Sequence, residues 1–265
     1  MLQKILIFSA SSLLVACGGT PIAIDPPPTA PLNDTGVSQC RSADELTKCP
    51  QNNNARQDAE QGRDAEALAG RLSKVGGGVA GFDFTKLAMN GLPLARQNQT
   101  WQVNGSESAG TRWFCVKDNH TGLIWEVKSN TEGDLHYSGD TFSWYNPDTK
   151  INAGNPGGQN LGFCHQAPCD TWGFIARVNS EKLCGRSNWR LPTAVELLSI
   201  IDQSQINPPV DTQYFPNLSF NAHWSSQTHA ERLNAAWYVY FTAGDNGAIA
   251  KTSVANALLV SGGEE

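Results

Sequence analysis

Seven cysteines in 265 residues constrain this chain more than any other feature. Cys17 stands apart, because it closes a short apolar run at the start of the sequence. The other six, Cys40, Cys49, Cys115, Cys164, Cys169 and Cys184, form an even set. Behind an export signal such a set reads as three disulfides, and six cysteines allow fifteen pairings. Short loops make Cys40–Cys49 and Cys164–Cys169 natural pairs, which leaves Cys115–Cys184 as the long-range staple. Only that staple closes a long loop, worth about 3–5 kcal/mol on chain-entropy grounds.

The compartment follows from residues 1–17. Met1 to Lys4 give a short, positively charged start, and Ile5 to Val15 is an apolar run broken only by serines. A membrane span needs ~20 apolar residues; this run is shorter and fits the core of a signal peptide over 1–16. Leu14-Val15-Ala16-Cys17, followed by Gly18-Gly19, resembles the lipobox of bacterial lipoproteins. That resemblance implies cleavage before Cys17 and acylation of its sulfur, with more than one chain as stable anchoring requires. Gly18 stands where an aspartate would signal inner-membrane retention, so by similarity to enterobacterial sorting the outer membrane is expected. The partners expected are therefore a membrane, held through lipid, and a ligand outside the cytoplasm.

Behind the anchor, 17–39 forms a tether whose Pro26-Pro27-Pro28 and Pro31 favour extended structure. Residues 40–110 read as an extension packing on a main domain at 111–265. Ala55 to Leu72 is rich in Ala, Glu, Gln and Arg and helical over part of its length. Gly76-Gly77-Gly78 reads as a flexible turn, without the Lys-Ser/Thr pair of a P-loop. Gly81 to Leu87 looks like a short apolar segment that packs on the main domain.

From Thr111 the pattern becomes dense. Trp113 to Val116 and Leu123 to Glu126 read as two strands joined by a turn at Asp118 to Gly122. Asp170-Thr171 caps a helix with Phe174, Ile175, Val178 and Leu183 on one side, ended by Gly185. Thr193 and Glu196 stand at capping-box spacing for a second helix with Val195, Leu198 and Ile201 as its buried stripe. The remainder reads as strands, with a hairpin turn at Gly244-Asp245-Asn246-Gly247.

In this order, Asp118-x-x-Thr121-Gly122-Leu123-Ile124-Trp125, Cys184-Gly185-x-x-Asn188-Trp189-Arg190-Leu191-Pro192-Thr193-x-x-Glu196-Leu197, Tyr214-Phe215-Pro216-Asn217, Trp224-Ser225-Ser226 and Ala236-Trp237-Tyr238-Val239 resemble the Lcl C-terminal domain family, named for the end domain of a bacterial collagen-like adhesin. The similarity spans about 111–262. It implies an α+β fold related to C-type lectin-like domains and formylglycine-generating enzymes: a small antiparallel sheet, two helices and long disulfide-stapled loops. It also implies, for the named adhesin, binding of sulfated glycosaminoglycans. One departure is that the stretch after the first motif is longer and more loop-rich than in short members.

The residues themselves allow both structural and functional readings. Thr193 and Glu196 are explained by capping, Arg190 by a buried carboxylate partner, and Trp125, Trp189, Trp224 and Trp237 by the core. A ligand is expected in the loop region 134–163, where Asp134, His136, Asp140, Trp144, Tyr145, Asn146, Asp148, Asn155 and Asn160 offer aromatic faces, carboxylates and amides. Of these, Asp140, Trp144, Tyr145, Asn146, Asn155 and Asn160 are the leading candidates. The calcium-lectin signatures Glu-Pro-Asn and Trp-Asn-Asp are absent, so neither metal nor cofactor is expected. No catalytic residue is assigned: Ser225-Ser226 lacks a Gly-x-Ser-x-Gly elbow, and Cys164-His165 with Cys169 reads as a disulfide loop. A net charge of −6 excludes nucleic acid as a partner and disfavours a general polyanion grip. The sequence therefore points to a binding module for glycans or glycosaminoglycans, with Lys128, Lys150 and Arg186 as candidate cations. The alternatives are an assembly lipoprotein that binds an envelope protein, and an enzyme or remnant of the formylglycine-generating type.

Overall fold

A computed structural model describes residues 33–43, 45–51 and 56–262. The signal peptide, Cys17 and most of the tether lie outside the described residues. Among the described residues no helix is long and apolar enough to cross a membrane.

The chain builds small antiparallel sheets with few helices. The central sheet has four strands: β3 (Phe84–Leu87), β4 (Cys115–Asp118), β5 (Ile124–Glu126) and β11 (Val260–Ser261), in the order β11-β5-β4-β3. A meander of β7 (Ala222–Thr228), β8 (Ala235–Tyr240) and β9 (Asp245–Ala250) forms a second sheet. Two small ribbons pair β1 (Cys40–Ser42) with β2 (Glu45–Thr47), and β6 (Phe142–Ser143) with β10 (Val254–Ala255). The helices are α1 (Gly62–Leu68), α2 (Thr171–Glu181) and α3 (Ala194–Leu198).

The central sheet is buried on both faces except at Lys117, although its strands carry polar residues such as Thr85, Lys86, Asp118 and Glu126. The register sets Lys86 beside Val116, Val116 beside Trp125 and Trp125 beside Val260 on one face. That face joins a core with Phe84, Leu197, Ile201 and Phe241. Leu87, Cys115 and Glu126 line up on the other face, against Phe142, Phe174, Trp189 and Leu259. Glu126 is thus a fully buried carboxylate packed against an apolar core.

The segment 81–87 does more than pack on the domain, since β3 is the edge strand of its main sheet. The triple glycine is not a flexible turn: Gly77 exchanges hydrogen bonds of 2.9 and 2.6 Å with Phe84. A Cβ on Gly76 would lie 2.0 Å from the Phe84 carbonyl oxygen, so the chain needs glycine for this close approach.

The disulfides are Cys40–Cys49, Cys115–Cys184 and Cys164–Cys169, the pairs that loop length favours. Asp170 caps α2 by accepting from Gly173 N at 2.8 Å. The helix stops at Lys182 and not at Gly185, because Lys182 already takes the left-handed conformation, φ 57°. The β8–β9 turn falls at 241–244, three residues earlier than the glycine pattern predicts. Phe241 is fully buried against His223, so the turn must begin there, with Gly244 at φ +74° closing it.

In α3 Leu197 is buried, as are Ile200 and Ile201 just past its end, whereas Val195 is 41% exposed. Glu196 turns inward to reach Arg190, and that rotation carries Val195 to the surface. Trp237 is the other correction: it is half-buried on the meander and stacks on His229 at 5.0 Å instead of entering the core.

Candidate functional site

The motif residues build the scaffold. Asp118 Oδ1 accepts from His120 N and Thr121 N at 2.9 and 3.2 Å, and Thr121 Oγ1 accepts from Leu123 N. Gly122, at φ +78°, completes that β4–β5 turn. Arg190 donates to both oxygens of Glu196 at 2.8 and 2.7 Å, while Glu196 also accepts from Thr193 N to close a capping box. Trp189, Leu191 and Pro192 are buried. Trp224 is buried and donates to Phe142 O, and Ser225 O accepts from Trp144. Ser226 N donates to Pro192 O, which ties β7 to the start of α3. Tyr238 is half-buried on the meander.

The six leading ligand candidates are spent largely on their own loop. Trp144 is 1% exposed, with Lys251 Nζ 4.2 Å from its ring centre. That ammonium also donates to Asn152 O and Asn155 O at 2.9 and 2.7 Å, so the loop folds around one buried cation. Asp140 is buried and holds His165 at 2.8 Å. Tyr145 exchanges hydrogen bonds with Thr171, Asn146 and Asn155 close turns through their side chains, and Asn160 accepts from Cys169 N. Trp144 and Asp140 are buried, whereas Tyr145, Asn146 and Asn155 are half-buried and Asn160 is exposed.

A different constellation surrounds Glu126. Strand alternation places Glu126 and Lys128 on the same side, and Lys128 Nζ lies 2.9 Å from Glu126 Oε1. His136 Nδ1 approaches the same oxygen at 2.7 Å, and Glu126 Oε2 accepts from Leu259 N at 3.0 Å. His136 Nε2 then meets Glu181, the last residue of α2, at 2.9 Å. Both ring nitrogens face carboxylates, so the ring must carry both protons and a positive charge. Burial opposes that charge, but the hydrogen bonds to Glu126 and Glu181 prevail and raise the His136 pKa to about 9. Burial likewise opposes the Glu126 charge, yet Lys128 and His136 hold its pKa below the ordinary value.

This cluster forms one wall of a cavity of about 210 Å³ lined by Trp101, Arg112, Trp113, Phe114, Val127, Lys128, Ser129, Asp134, His136 and Glu181. It opens where β4 enters and β5 leaves the sheet, beside the C-terminal end of α2. Trp113 is held rigidly: its Nε1 donates to Tyr214 O at 2.9 Å, and the Lys86 ammonium sits 4.0 Å from its ring centre. The Arg112 guanidinium lies over Phe114, 5.3 Å from the centroid. Sequence reading names Lys128, Asp134 and His136 as ligand or cation candidates but misses Trp101, Arg112, Phe114 and Glu181. The available signal is the alternation that puts two opposite charges, Glu126 and Lys128, on a buried strand face.

A further acidic group lies near the first described residues. Carboxylate oxygens of Asp34, Asp58 and Asp64 lie within 4.8 Å of one another. Asp64 accepts from Gly36 N and Gly81 N, Asp34 from Asp64 N, and Asp58 from Thr35 Oγ1, so the cluster stitches the first described residues to α1.

Small antiparallel sheets, few helices, three disulfides and long internally bonded loops make a stapled mixed α and β domain with an aromatic, charged recess of about 210 Å³. The profile of the Lcl C-terminal domain family matches residues 114–261, and the chain belongs to that family. Neither a curated protein nor a solved structure matched it. Trp101, Arg112 and Trp113 precede the matched segment, so part of the cavity wall comes from outside the family domain.

Proposed function

We propose that this chain is a lipid-anchored binding module of the bacterial cell envelope, displayed from the outer membrane, that takes glycans in the cavity beside Glu126. The observation that carries this reading is the cavity wall, where Trp101 and Phe114 lie next to ionic groups on Arg112, Lys128, Asp134 and Glu181. Sugars are bound by such a mixture, with ring faces on aromatics and hydroxyls on charged or amide groups. Family membership supports it, since the family is named for an adhesin domain and the fold we propose is of the C-type lectin-like and formylglycine-generating type. A fold does not fix a function, so the ligand is argued from the site. The lipobox at Leu14 to Cys17 supports the anchor, and three disulfides fit an oxidising compartment.

A glycan array and a heparin column, each run at low and then physiological salt, test this reading. Retention that salt weakens is the expected result. Absence of binding to every glycan contradicts it and favours the second reading, an envelope protein as partner. That alternative has its own observation: Leu161, Phe163 and Trp172 are exposed by 48%, 75% and 47% around the Cys164–Cys169 loop.

A further inference from the structure

We infer that the cavity selects a sugar unit bearing a single carboxylate, a hexuronic acid in class, and that Arg112 sets this preference. The inference deepens the glycan reading and rests on it.

Charge supports it first. Three cations line the cavity, Arg112, Lys128 and His136, against two carboxylates, Asp134 and Glu181. Lys128 and His136 are paired with Glu126 and Glu181, whereas Arg112 has no carboxylate partner among the described residues, and a ligand carboxylate would supply one. Glu126 lies behind the wall and is saturated by Lys128, His136 and Leu259 N.

The unspent hydrogen-bonding groups agree. Arg112 uses Nη1 on Val103 O at 3.2 Å, leaving Nε and Nη2 without a partner among the described residues. Lys128, by contrast, is spent on Glu126 and lies 4.7 Å from the Phe174 ring centre. The Arg112 donors suit a carboxylate. On the acceptor side, Asp134 uses Oδ1 on His136 N and Glu181 uses Oε2 on His136, so one oxygen of each can take a hydroxyl hydrogen. Half-buried Trp101 offers a ring face for the apolar side of the sugar.

Size limits the occupant. About 210 Å³ is below the ~300–1,000 Å³ typical of drug-sized sites, so one ring enters and the rest of a chain stays outside. A sulfated polymer needs a broad cationic field, but Lys150 and Arg186 do not line the cavity, and the whole chain carries a net charge of −6. Because Arg112 and Trp101 precede residue 114, this preference rests on residues outside the matched segment.

Calorimetric titration of the purified full chain with glucose, glucuronic acid, glucose 6-sulfate and a heparin oligosaccharide tests the inference. Glucuronic acid is expected to bind about ten-fold or more tightly than glucose, the worth of one charge-assisted contact. R112Q is expected to lower glucuronic acid affinity about ten-fold more than glucose affinity, and W101A to weaken both sugars. Equal binding of glucose and glucuronic acid overturns the inference but leaves the glycan reading standing. So does a heparin oligosaccharide that binds more tightly than glucuronic acid with steep salt dependence. Failure of all four probes overturns both. The four-probe comparison is made on the native chain, so it holds even if a variant fails to fold.

Discussion

His136 bridges Glu126 and Glu181, at 2.7 and 2.9 Å, so a single charged ring ties β5 to the end of α2. The bridge is buried, and a buried charge survives only when paired on every side. Its consequence is a pH dependence with a definite sign. The folded His136 pKa is raised from 6.5 to about 9. Below pH 6.5 the ring is protonated in both states and its bonds contribute in full. The contribution declines above pH 6.5 and is gone once pH has risen past about 9. Thermal unfolding of the native chain should lose on the order of 3 kcal/mol across that window. H136Q should flatten that slope. A melting temperature that holds constant from pH 6.5 to 9 contradicts the account.

His223 acts in the opposite sense. It is fully buried beside Phe241, with Nδ1 donating to Asn221 O at 3.0 Å and Nε2 unpaired among the described residues. Burial pushes its pKa down to about 3. Between pH 6.5 and 3 the unfolded chain takes up a proton that the fold refuses, so stability falls as pH falls. The combined contribution of the two histidines is therefore greatest near pH 6.5. H223L should soften the acid side of the profile, as urea titrations at pH 4 and 6.5 would show. An unchanged acid slope in H223L counts against this assignment.

The disulfides should be unequal. Cys115–Cys184 spans 69 residues and Cys164–Cys169 spans 5, so chain entropy assigns them about 4 and about 2 kcal/mol respectively. C115S/C184S should therefore lower the urea midpoint about twice as far as C164S/C169S. Equal shifts would mean that native packing, and not loop closure, decides their worth.

Arg190 and Glu196 offer a sharper structural test. Glu196 is 2% exposed and serves as both fork partner and helix cap. R190K keeps the charge but loses the planar fork, at an expected cost of about 1–3 kcal/mol. T193A removes one half of the capping box, at about 1 kcal/mol. Urea unfolding of each variant measures both costs, and a change under 0.5 kcal/mol in R190K would show the pair to be dispensable.

What could be read from the residues was local. The β4–β5 hairpin, the Asp170 cap, the Thr193–Glu196 box and the short disulfide loops depend on spacings of a few positions. The failures came from burial competing with pattern. Gly244 to Gly247 has turn chemistry, but burying Phe241 moves the turn to 241–244. Val195 has helical spacing for the core, but the pull of Glu196 on Arg190 turns it outward. Trp144 and Asp140 have ligand-like chemistry, yet their loop is organised from within by Lys251 and His165. The cavity is the least legible element, because its wall draws on 101–114, 127–136 and residue 181. The β4–β5 pairing, the His136 bridge and the hydrogen bond from Lys86 to Gln99 O help bring those segments together.

The most direct test of the central claim is a glycan array probed side by side with the native chain and W101A, after matched melting curves. Binding by the native chain that W101A loses, at an unchanged melting temperature, places the glycan in the cavity as proposed. Binding that W101A retains in full, or no binding by the native chain, contradicts it.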